Sequence, residues 1–166
     1  MTAGKTKPRP PKETFRDAVN PCKPLLHREG LQAIKRGEGK GQISGEHASK
    51  ILGSVDIDGD CRATHPESNR WDYVVGYERS GQAIAHFIEV HSAETSEVSV
   101  VEKKLDWLET FLQHDAARKL AALPRELHWV ASGRINIPQH TPQYKKLQTT
   151  LRKRGLSFAG KTLLLT

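Results

Sequence analysis

The chain has 166 residues, 36% of them apolar, which suits one domain with a modest core and excludes a membrane-spanning reading, since no run approaches the roughly 18 apolar residues a span requires. The net charge of +7 is unevenly spread: residues 1–50 hold 11 Lys/Arg against 5 Asp/Glu, residues 51–100 hold 3 against 9, and residues 101–166 hold 12 against 5. Basic ends attract a polyanion and clustered carboxylates attract a divalent cation, although basic tails and solvated acidic loops give the same totals.

Residues 1–26 carry Pro8, Pro10, Pro11, Pro21 and Pro24 among many lysines, a composition that predicts a flexible basic arm ahead of one α/β domain over 27–166. The opening MTAGKTKPRPPKETFRD has no apolar stretch of the secretory kind, so a cytoplasmic protein is expected. Leu31 and Ile34 suggest a short helix over 27–37. Residues 37–45 form a glycine-containing loop without the GK(S/T) ending of a phosphate-binding loop, and 46–54 reads as a second short helix or turn. Cys22 and Cys61 form no CxxC pair, which excludes a cysteine-rich zinc site, and a disulfide is not expected.

WDYVVGYE (71–78) and AIAHFIEVHSA (83–93) alternate like strands on either side of the turn RSGQ, so a hairpin is expected. Val101, Leu105, Leu108 and Leu112 mark an amphipathic helix over 96–114, with Ser96 or Thr95 as its N-cap. ELHWVAS (126–132) reads as a strand. Thr141 and Pro142 open a helix that Gly155 stops, and KTLLLT (161–166) reads as a final strand. The expected fold is α/β with a mixed sheet, in the order α-β-β-α-β-α-β.

Within the second strand, Phe87, Glu89 and His91 share one face, with Glu89 and His91 about 7 Å apart. Hairpin pairing brings Asp72, at the start of the first strand, beside them. Two carboxylates meeting there call for a cation or a proton; the plainer alternative has Asp72 capping the strand and Glu89 paired with an arginine. In DIDGDCRATHPE (56–67), Asp56, Asp58, Asp60 and Glu67 match positions 1, 3, 5 and 12 of a calcium loop, but Cys61 replaces the obligatory glycine. Asp58 or Asp60 is therefore better considered as a further carboxylate for the Asp72–Glu89 site. The histidines at 65, 86, 114, 128 and 140 show neither HExxH nor HxH spacing, which argues against a histidine-rich zinc site. Trp71, Trp107 and Trp129 are expected in the core.

An aspartate opening one strand of a hairpin, Glu89-Val90-His91 in the next strand and an amphipathic helix from about 96 together resemble the PD-(D/E)XK, or restriction-endonuclease-like, nuclease superfamily over roughly residues 46–135. The sequence departs from that pattern where Trp71, rather than proline, precedes Asp72, and where His91 stands in place of the lysine. The resemblance implies a metal-dependent phosphodiesterase acting on nucleic acid. Asp72 and Glu89 would hold Mg²⁺ or Mn²⁺, and Asp72, Glu89 and His91 would be its catalytic residues, His91 orienting or deprotonating water. Lys103 or Lys104 on the following helix is a candidate for the missing ammonium. The competing expectation is a non-catalytic nucleic-acid-binding or protein-interaction module on a degenerate nuclease fold.

Overall fold

The residues flanking Ser80-Gly81 build the centre of the fold. Both turn residues have positive φ, 51° and 76°, the two-residue turn whose twist matches paired antiparallel strands. Around it the computed structural model describes residues 7–35, 37 and 39–166. In chain order the elements are α1 (Pro11–Val19), β1 (Ile43–Gly45), β2 (Ile51–Asp56), α2 (Ile57–Cys61), β3 (Tyr73–Arg79), β4 (Gln82–Glu94), α3 (Glu97–Leu112), α4 (Arg118–Ala121), β5 (Arg125–Asn136), α5 (Pro142–Lys146), β6 (Leu156–Gly160) and β7 (Leu163–Leu165).

The main sheet runs β2-β3-β4-β5-β6. β2, β3 and β4 are antiparallel; β4, β5 and β6 are parallel, and their crossovers carry the helices. The fold is thus α/β with a mixed sheet. One face of the sheet, with Val74, Phe87 and Trp129, packs on α1, α3 and α4 through Phe15, Val101, Leu105, Leu108 and Leu120. The opposite face, with Tyr73, Val75, Tyr77, Ile88 and Val90, is covered by the parallel pair β1–β7 through Ile43, Leu163 and Leu165. Trp71 and Trp129 are fully buried and Trp107 packs against the core, as expected. Cys22 and Cys61 are free and buried, and burial pushes both thiols up to about 11.

Four expectations need correction. The flexible arm does not extend to residue 26. Phe15, Ala18, Val19, Cys22 and Leu25 are buried, a helical stripe hidden among prolines. Pro11 begins α1, where a missing N–H is harmless. Gly76 makes the docking possible: a Cβ there would lie 2.5 Å from the Phe15 ring. Residues 1–6 of the expected arm lie outside the described residues. Second, the described residues of 27–37 form turns rather than a helix, and the segment read as a helix or turn over 46–54 holds one 3-10 turn at Ala48–Lys50 and then enters strand β2, the sheet edge. Third, the final strand read over 161–166 is β7 and lies in the small sheet, and a strand that was not read, β6, completes the main one. Fourth, Ser96 precedes α3 without a capping hydrogen bond, whereas Thr141 caps α5 by accepting from the Tyr144 N–H at 3.2 Å.

Candidate functional site

β3 and β4 pair with Tyr73 opposite Ile88, so Asp72 falls beside Glu89 at the end of the hairpin. Each carboxylate is held by the other strand: the Val90 N–H donates to Asp72 Oδ2 at 2.9 Å, and the Asp72 N–H donates to Glu89 Oε2 at 3.2 Å. These reciprocal bonds fix both side chains and leave one oxygen of each, Oδ1 and Oε1, free to face α3. There they meet Lys104. Its Nζ donates to Asp72 Oδ1 at 3.2 Å and to Glu89 Oε1.

Lys104 is the residue that pattern reading left undecided, since it was one of two lysine candidates. Lys103 is exposed. Lys104 follows Val101 by three residues and precedes Leu108 by four, so it lies on the buried stripe of α3. An ionisable residue on an apolar stripe was the available signal. His91 also faces this centre, with Nδ1 3.6 Å from Glu89 Oε1, while its Nε2 lies 2.5 Å from Glu97 Oε2 in the first turn of α3.

The electrostatics follow from burial. Glu89 is fully buried, and desolvation, reinforced by Asp72, raises its pKa well above the usual carboxylate range despite Lys104. Asp72 is raised by desolvation too, with Lys104 and the Val90 N–H opposing. For Lys104, burial alone would lower the pKa, but Glu89 and Asp72 outweigh it and the group stays firmly charged. When all three are ionised, two carboxylates face one ammonium, and the centre carries one uncompensated negative charge.

Asp58 and Asp60 do not join it. Asp58 pairs with Arg62 and Arg70, both at 2.9 Å, and Asp60 takes a two-pronged contact from Arg28 at 2.7 and 3.0 Å. Asp56 caps α2 by accepting from the Gly59 N–H at 2.8 Å. The aspartates of a would-be calcium loop thus diverge to separate partners.

A second group lies on the opposite face of the sheet. His86 of β4 is in register with Glu126 of β5, and His128 follows Glu126 on the same face. His86 Nδ1 and His128 Nε2 are 3.0 Å apart, and Glu126 Oε2 is 3.5 and 3.6 Å from them. These three side chains could hold a metal ion. The absence of HxH spacing misled here, because one histidine comes from each strand. The legible signal was Glu126-Leu127-His128, the same Glu-x-His alternation as Glu89-Val90-His91.

No protein-family model, no curated protein and no solved structure matches the chain, so the resemblance to restriction-endonuclease-like nucleases rests on its own residues. Among the described residues, no helix is long and apolar enough to cross a membrane.

Proposed function

We propose that the chain is a metal-dependent phosphodiesterase of the nuclease class, working at the Asp72–Glu89–Lys104 centre. The observation that carries this reading is the pair of carboxylates locked by reciprocal backbone bonds, aimed at one point together with a single ammonium. Asp72 and Glu89 are hard oxygen ligands of the kind Mg²⁺ or Mn²⁺ prefers. Such an ion would supply charge neutralisation at the phosphate and a more acidic bound water.

Lys104 takes the place that the lysine of the resembled motif would hold, approaching from the helix rather than the strand. Its ammonium would stabilise charge developing on a phosphate oxygen. Glu97 orients His91 through Nε2, which turns Nδ1 towards the centre as a proton acceptor. The basic flanks of the chain would attract the nucleic acid backbone.

The test is titration with Mg²⁺ and Mn²⁺, followed by cleavage assays on single- and double-stranded DNA and RNA. Asp72→Asn and Glu89→Gln should abolish both binding and cleavage, and His91→Ala should slow cleavage by ~10² or more. A second reading draws on the complete burial of Glu89 against Lys104, an arrangement that also serves as an internal ion network. If no divalent ion binds and nothing is cut, while nucleic acid is retained in a salt-dependent manner, the chain is a binding module.

A further inference from the structure

We infer that His86, Glu126 and His128 form a second metal site, for a borderline divalent cation such as Zn²⁺, that clamps β4 to β5 on the sheet face opposite the carboxylate centre. The inference is independent of the nuclease reading.

The spacing is the first support. A point equidistant from His86 Nδ1, His128 Nε2 and Glu126 Oε2 lies about 2.0 Å from each, close to the ~2.0–2.2 Å of Zn–N and Zn–O bonds. Without an ion the arrangement is poorly satisfied. The two ring nitrogens share one hydrogen bond whichever ring donates, and Glu126 Oε2 lies beyond good hydrogen-bond reach of both. His86 Nε2 is buried with no hydrogen-bond partner, and its ring stands at right angles to that of Tyr77.

The surroundings select the ion. Two imidazoles and one carboxylate suit Zn²⁺ far better than Mg²⁺, which prefers oxygen. Arg79 Nη1 bonds Glu126 Oε1 at 2.6 Å, which orients the carboxylate and leaves Oε2 for the cation. Glu126 is 39% exposed on its side chain, so an ion can enter from solvent and keep a water as its fourth ligand.

The test uses full-length protein stripped with EDTA and titrated calorimetrically with ZnCl₂. One Zn²⁺ per chain is expected, with a rise in Tm and, for Co²⁺, the visible bands of a tetrahedral ion. Glu126→Gln and His128→Gln should each weaken Zn²⁺ at least about 100-fold, and Arg79→Gln by roughly 10–100-fold. Glu89→Gln should leave Zn²⁺ binding unchanged while removing Mg²⁺ binding, which separates this site from the carboxylate centre. If His128→Gln fails to fold, X-ray absorption of the Zn²⁺-loaded wild type decides: two imidazoles in the coordination shell support the site. No Zn²⁺ binding, fewer than two imidazoles, or binding lost in Glu89→Gln but kept in Glu126→Gln overturns it.

Discussion

Glu89-Val90-His91 and Glu126-Leu127-His128 are the same pattern on neighbouring strands, yet they build opposite kinds of site. The first faces the helices. There α3 brings Lys104 to Glu89 and Glu97 to His91, so each member of the motif acquires a charged partner of its own. The second faces the small sheet. There β4 contributes His86, Arg79 takes one oxygen of Glu126, and the two imidazoles are left to face each other. One centre is two carboxylates with an ammonium, an oxygen-rich set of donors. The other is two imidazoles with one carboxylate, a set that mixes nitrogen with oxygen. A strand motif fixes which side chains share a face; the neighbouring elements decide what chemistry that face performs.

The sharpest way to break this contrast is to remove Lys104. Lys104→Met leaves two buried carboxylates facing each other, and breaking a buried pair in this way costs about 3–5 kcal/mol. Denaturant unfolding at pH 7 measures it. The loss should shrink as pH falls and the carboxylates take up protons. A variant as stable as the wild type would show that the ammonium is not what holds the centre together.

Acidity should separate the two faces in the metal-free protein. His86 is depressed to about 4 from its ordinary 6.5, so its contribution to stability is fully present above about 6.5 and is lost as pH falls through about 4. Asp72 and Glu89 are raised, so their contribution runs the other way: it is present below their ordinary range and lost as pH rises through the folded values. The Tm of Glu89→Gln should therefore drop more steeply on acidification than that of wild type, because the carboxylate compensation is gone. His128→Gln should flatten the acid limb, since one buried imidazole no longer resists charging. Parallel limbs in all three proteins would contradict the assignment of the two faces.

The smallest effect belongs to Glu126. Its ion pair with Arg79 is 40% and 39% exposed, so Glu126→Gln should cost no more than about 1 kcal/mol in EDTA. With Zn²⁺ added, the gap from wild type should widen, because only the wild type gains the bound ion's stabilisation. A gap that ignores Zn²⁺ would leave the second face without a metal role.

Alternation and turn chemistry were enough to read the β3–β4 hairpin, and with it the meeting of Asp72 and Glu89, because both depend on neighbours in sequence. The period of α3 was legible for the same reason, and so was the Thr141 cap of α5. The stripe Phe15, Ala18 and Val19 was written in the sequence as well, but the surrounding prolines masked it until the sheet supplied a partner surface. Strand β2 was illegible because a six-residue segment at a sheet edge owes its form to pairing with β3. Where Asp58 and Asp60 find their arginines, and that His86 meets His128 from 42 residues away, were decided by tertiary structure alone. Sequence spacing sets the direction in which a side chain points. Only the packing of distant elements determines what it meets there.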